Sequence, residues 1–126
     1  MSPVTHVGRV MVPVADQDAA ISFYTGPLGF ELTADTPFGD GERWVEVSPP
    51  GGGAAIALVP RRENYDTGRT TGVALESVDV TSTHQELREQ GVDVDGELMG
   101  GEGAVPKMFF FRDHDGNQLM VVESPA

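Results

Sequence analysis

Residues 7–14, VGRVMVPV, alternate: Val10, Val12 and Val14 share one parity, and Arg9, Met11 and Pro13 share the other. A period of two with one consistently apolar side predicts a strand packed on one face. Over DQDAAISFYTGPLG the period lengthens. Asp16 and Asp18 lead, apolar Ala20, Ile21, Phe23, Tyr24 and Leu28 follow, and Gly26-Pro27 closes the run. Acids ahead of such a stripe predict a helix opening at Asp16. Three strand-like runs come next, residues 30–34, 43–47 and 54–59, separated by the turn formers TPFGDG and SPPGGG. The polar stretch at residues 60–71 (PRRENYDTGRTT) has no apolar period.

The pattern then repeats. Residues 73–78 read as a strand and VDVTSTHQELREQG as a helix, with Asp79 at its start and Gly91 past its end. Val80, His84 and Leu87 share its inner stripe. Runs at residues 92–94, 105–112 and 118–123 supply three further strands. Asp16 and Asp79 lie 63 positions apart, half of the 126 residues, and Ile56-Ala57-Leu58 falls on Leu119-Met120-Val121 under the same shift. The order strand, helix, three strands thus occurs twice, which indicates an internal duplication within an α+β chain. We expect one domain over residues 1–126, with module one at about 5–60, a linker at 61–71 and module two at about 72–124.

Between the last two strand runs lies a polar knot, Asp113-His114-Asp115-Gly116-Asn117. Asp-Gly flanked by apolar alternation is a hairpin signal, since glycine takes a positive φ without steric cost. A helix-flanked calcium loop would place glycine sixth after its first acid; Gly116 is fourth counting from Asp113, so the knot reads as a turn.

Composition narrows the function classes. Twenty acidic against 8 basic side chains give a net charge of −12, which offers no basic patch to a phosphate backbone. Nucleic-acid binding is therefore not expected, and an acidic surface suits a cationic ligand. No cysteine is present, which removes disulfides, thiolate metal sites and cysteine nucleophiles. Neither a signal-like segment nor a run of ~20 apolar residues occurs, so the expectation is a cytoplasmic protein that avoids membranes.

FRDHDGNQLMVVES resembles the ending of the vicinal oxygen chelate superfamily, which includes glyoxalase I, bleomycin-resistance proteins and extradiol dioxygenases. VPVADQDAAISFYTGPLGFEL resembles its first-helix signature, and RWVEVSPPG and TGVALESVDVTSTHQELREQGV are similar to its loosely defined bacterial branch. His114 replaces the usual proline of the turn. The resemblance implies two βαβββ modules whose curved mixed sheets enclose a cavity, commonly in a homodimer. In metal-dependent members, four cavity-facing positions carry His, Glu, His or Gln, and Glu. By the resemblance these fall on Arg9, Ala57, Gly72 and Met120, none of which is a ligand for a divalent metal in that pattern. His6, His84 and His114 are scattered, with His84 expected in the core. No metal and no other cofactor is therefore expected.

The cavity-facing positions that the resemblance implies, extended by strand parity, give Arg9, Met11, Trp44, Glu46, Ala57, Gly72, Ala74, Gln118 and Met120 as the expected ligand pocket, apolar and aromatic with a few polar groups. Arg9 suits a carboxylate or phosphate, or else pairs with Glu46 or Glu76. Trp44 suits a flat ligand, and Glu46 or Glu76 is a candidate general base. The glycine-rich segment at residues 95–106 (DGELMGGEGAVP) is long enough for a mobile lid. The leading expectation is a metal-independent protein that sequesters a small, antibiotic-like organic molecule. The alternatives are a metal-free lyase or isomerase using a cavity glutamate, and a lyase or dioxygenase with rearranged metal ligands.

Overall fold

The computed structural model describes residues 2–125. They divide into two compact units, one ending at Thr67 and the other beginning at Gly68. The first unit runs β1 (Arg9–Val14), α1 (Gln17–Thr25), β2 (Glu31–Phe38), β3 (Glu42–Ser48) and β4 (Ala55–Pro60). The second runs β5 (Thr70–Ser77), α2 (Val80–Glu89), β6 (Asp93–Val94), β7 (Met108–Arg112) and β8 (Gln118–Glu123). Each unit builds one four-stranded mixed sheet, ordered β1-β4-β3-β2 and β5-β8-β7-β6. First and last strands pair parallel, and the other pairs are antiparallel. The duplication read from the sequence is present in the ladder. β4 shifted by 63 positions is β8, and the pair Met11–Ala57 becomes Ala74–Met120.

A parallel pair cannot be closed by a tight turn, and in each unit the helix follows the first strand of that pair. Both helices begin as the sequence predicts. The Asp16 carboxylate accepts hydrogen bonds from the Asp18 and Ala19 amides at 2.9 and 3.2 Å, and the Asp79 carboxylate accepts one from the Ser82 amide at 3.1 Å. These satisfy amides that the first helical turn leaves without partners. Ala20 and Tyr24 of α1 are buried, as are Val12, Val14, Val45, Val47, Ile56 and Leu58 of the sheet. The Gln17 side-chain amide fixes helix to sheet by donating to the backbone oxygens of Arg43 and Leu58, each at 2.9 Å. In the second unit Val80, His84 and Leu87 of α2 are buried, as are Phe109, Phe111, Leu119 and Val121. The His84 ring meets Phe109 edge-on, and its Nε2 lies 2.6 Å from the backbone oxygen of Asp95. His84 is thus a hydrogen-bonded core residue.

The polar knot is a turn with a buried polar centre. Asp113 Oδ1 accepts from the Asp115 and Asn117 amides, and the Asn117 side-chain amide donates to Asp113 Oδ2. Asn117 Oδ1 reaches back to accept from the amides of Gly68 and Arg69, at 3.0 and 3.3 Å. Gly116 takes a φ of 77°, and its amide donates to the Asp113 oxygen. One side chain therefore holds both the β7–β8 hairpin and the entry to β5.

One local expectation changes, and two segments gain detail. The segment TPFGDG is not all turn: β2 continues to Phe38, and only residues 39–41 form the turn. Pro37 is tolerated because β2 is an edge strand, and Arg43 on β3 pairs with Asp35 across the ladder. The stretch at 60–71 is tied down on its first-unit side, since Arg62 and Tyr65 bridge and the Tyr65 hydroxyl donates to the Met11 oxygen at 2.5 Å. The glycine-rich segment at 95–106 carries backbone hydrogen bonds of its own. Met99 and Met108 exchange backbone bonds at 2.8 and 2.9 Å, and the Gly101 amide donates to the Val105 oxygen. A Cβ at Gly100 would stand 2.1 Å from the Pro106 oxygen, so the turn closes only around glycine.

Asn117→Ala leaves the amides of Gly68 and Arg69 without their acceptor and should lower stability by about 2 kcal/mol, whereas exposed His114→Ala should stay within ~0.5 kcal/mol. Urea denaturation of the two variants checks this. A second expectation concerns acid. Arg112 donates to Asp93 at 3.0 and 3.1 Å and to Asp95 at 2.7 Å, and its hydrogen bonds hold the Asp93 carboxyl below its ordinary 3.8. A carboxyl with a lower pKa folded than unfolded contributes stability above the unfolded value and loses it as pH falls through the folded one. The stability gap between wild type and Arg112→Met should therefore be full at neutral pH and begin to close as pH falls past 3.8. Denaturation midpoints measured down a pH series test that sign.

Candidate functional site

With α1 on one side of its sheet, the first unit presents the other parity of residues on the opposite face. Partners in a ladder project to the same side, so register defines this face. Met11 stands opposite Ala57, Ala57 opposite Glu46, Ala34 opposite Glu46, and Thr36 opposite Trp44. Arg9 lies two residues before Met11 and Phe38 two residues after Thr36, on the same parity. The face therefore carries Arg9, Met11, Ala57, Glu46, Trp44 and Phe38.

Its centre is a three-residue cluster. The Arg9 Nε–H donates to Glu46 Oε2 at 2.9 Å, and the Trp44 indole N–H donates to the same oxygen at 2.6 Å. Trp44 and Glu46 are separated by one residue on β3, which the pleat places side by side on this face. Arg9 reaches them from β1 across β4, where its own ladder partner is Ala55 and that of Glu46 is Ala57, both with only a methyl group. The Glu46 side chain is 14% exposed and the Arg9 side chain 50% exposed, so the carboxylate is sunk and the guanidinium looks outward. Phe38 is 57% exposed and its ring centroid lies 6.2 Å from that of Trp44, tilted by 54°. Met11, 49% exposed, completes the rim. The indole is oriented by its hydrogen bond, and a flat, partly open aromatic surface lies beside a cation.

The expected pocket residues divide between the units. Arg9, Met11, Trp44, Glu46 and Ala57 stand together on the face just described. Ala74, Gln118 and Met120 stand on one face of the second sheet, where Phe110 also pairs with Met120. Gly72 occupies the irregular stretch of β5 between Thr70 and Ala74, with a φ of 75°. Glu76 is exposed on the same strand. It lines a shallow depression of about 360 Å³ with Ala104, Pro106, Val122, Glu123, Ser124 and Pro125. Phe38 was not among the expected site residues, because Pro37 and Gly39 beside it read as turn. The available signal was the Thr36–Phe38 alternation that continues β2.

The four positions that would carry a divalent metal do not fit one. Arg9 supplies a guanidinium already donating to Glu46, Ala57 a methyl, Gly72 no side chain and Met120 a thioether. Among the described residues no group of three or more His, Cys, Asp or Glu is arranged to hold a metal ion. No helix there is long and apolar enough to cross a membrane.

The fold and this site define a protein of duplicated βαβββ units with an aromatic and charged sheet face. The sequence pattern of the Glyoxalase/Bleomycin resistance protein/Dioxygenase superfamily matches residues 6–121, and the chain belongs to that superfamily. The uncharacterized protein YetH of Bacillus subtilis (strain 168) is 29% identical over 121 residues, covering 95% of this chain and 99% of its own. The crystal structure of TnmS3, an antibiotic binding protein from Streptomyces sp. CB03234, is similar with a TM-score of 0.85 at 33% identity. It covers 99% of this chain and 100% of that one. A superfamily member from Sphaerobacter thermophilus DSM 20745 gives a TM-score of 0.87 at 30% identity, over 96% of this chain and 98% of that one.

Removing Glu46 should release the indole and the guanidinium together. Glu46→Ala is expected to cost about 1–2 kcal/mol, and Arg9→Ala less than about 1 kcal/mol because the pair is half in solvent. Trp44 is the sole tryptophan, so its indole N–H gives one resonance. That resonance should move strongly in Glu46→Ala and weakly in Arg9→Ala.

Proposed function

We propose that this chain is a metal-independent binding protein that sequesters a small, antibiotic-like organic molecule. The observation that carries this reading is the shared Glu46 oxygen, which holds Trp44 and Arg9 in fixed orientation on a partly open face. Preorganised aromatic and polar groups of this kind reduce what a ligand must spend on ordering its site. The likeness to TnmS3, an antibiotic binding protein, supports the ligand class. The residues at the four metal positions support independence from metal. A homodimer, which the resemblance to the superfamily implies, belongs to the same proposal and is checked by sedimentation velocity.

A metal-free enzyme would need a carboxylate able to take a proton from its substrate. Glu46 Oε2 is engaged by two donors, which favours a structural task for this residue. Glu76, exposed and without a hydrogen bond among the described residues, remains the candidate base of that second reading.

Two measurements on untagged protein test the proposal. Elemental analysis and calorimetric titration with Fe, Mn, Ni and Zn should show no tightly held ion; about one per chain would overturn the metal-independent reading. A screen of antibiotics and small aromatic compounds should give at least one saturable change in Trp44 fluorescence with unchanged ligand recovered afterwards. Recovery of a converted product, abolished in Glu76→Gln, would favour the enzyme instead.

A further inference from the structure

The chain's net charge of −12 favours a cationic ligand, but the local charge on the Trp44 face has the opposite sign of exposure. Glu46, the only carboxylate in the cluster, is 14% exposed, and one of its oxygens already accepts two hydrogen bonds. Arg9 uses only its Nε in that contact. Among the described residues no other hydrogen bond or ion pair engages its Nη groups, and half of the side chain is open to solvent. Glu42, further along β3, is occupied by Arg62 at 3.1 Å. What the face offers an incoming molecule is therefore a pair of guanidinium donors beside the Trp44 and Phe38 rings.

We infer that the ligand is a planar, conjugated molecule bearing an anionic oxygen group. Its ring system lies against Trp44 and Phe38, and its carboxylate or phenolate oxygen accepts from the Nη groups of Arg9. This rests on the binding reading above and narrows it. Three features make the arrangement selective. The indole N–H is consumed by Glu46, so Trp44 offers its ring surface and no hydrogen-bond donor. The guanidinium is held by the same carboxylate through its Nε, and its Nη groups have no other hydrogen-bond partner among the described residues. The planar fork suits an oxygen pair, which a compact ammonium would hold less specifically. Ala55, the ladder partner of Arg9, and Ala57, the partner of Glu46, put only methyl groups between β1 and β3 along the path from Arg9 to Glu46.

The test uses a matched set of probes on the intact protein: 2-naphthoate, 2-naphthalenemethanol, 2-naphthylmethylammonium and cyclohexanecarboxylate. Calorimetry reads affinity, and the single indole N–H resonance locates binding at Trp44. The expected order is 2-naphthoate tightest, by about fivefold or more over the neutral and cationic naphthyl probes, with cyclohexanecarboxylate weakest. Arg9→Ala should abolish the preference for the anion while leaving binding of the neutral ring, and Arg9→Lys should restore part of it. Trp44→Leu should weaken all three naphthyl probes. Equal affinity for all charges, or a preference for the ammonium, overturns the inferred anionic class and leaves the binding function standing. Failure of every probe to move the Trp44 resonance overturns the inference as well. The binding function then stands or falls on the broader ligand screen.

Discussion

Everything described about the site depends on the parallel pairing of the first and last strand of each unit. A parallel ladder forces an intervening crossover, and the helix that follows the first strand covers one face of the sheet. Once α1 covers Val12, Val14, Val45, Val47, Ile56 and Leu58, the alternation of the strands assigns Arg9, Met11, Trp44, Glu46 and Ala57 to the opposite face. A slip of one residue in β1 would turn Arg9 toward the helix and expose Val10 or Val12 instead. The apolar parity forbids it. The position of the charged cluster is thus fixed by burial of side chains that never touch it.

Within that frame, the cluster contributes orientation more than stability. An ion pair with one partner half in solvent contributes little net free energy. Glu46 is different from a surface acid because it is sunk between an indole N–H and a guanidinium, both on one oxygen. The hydrogen bond at 2.6 Å constrains the indole plane, and the contact at 2.9 Å steers the arginine. Two flexible side chains are ordered in advance by one carboxylate. That is a property useful for binding and of small account for folding.

Much of this was legible in the sequence, for identifiable reasons. Helix starts were visible because an aspartate ahead of an apolar stripe has a specific backbone partner, and both Asp16 and Asp79 found theirs. The duplication was visible because its 63-residue offset recurs in register as well as in pattern. What the sequence hid were features decided by tertiary pairing. Proline beside glycine ordinarily marks a turn, yet β2 runs through Pro37 because an edge strand can spare one amide. That misreading concealed Phe38. Parity placed Arg9, Trp44 and Glu46 on one face, but that Arg9 and Trp44 share one acceptor oxygen of Glu46 depends on distances across three strands, and periodicity carries no such information. The role of Asn117 was equally hidden, since its acceptor serves amides 48 and 49 residues away.

The superfamily pattern and the local chemistry, taken together, restrict what this face can do. The resemblance assigns the metal positions of metal-dependent members to Arg9, Ala57, Gly72 and Met120, which offer a guanidinium, a methyl, a bare backbone and a thioether. A guanidinium repels a metal ion and attracts an oxygen anion. On this chain the cation of the Trp44 face is the Arg9 side chain, held in place by Glu46, which also holds the indole.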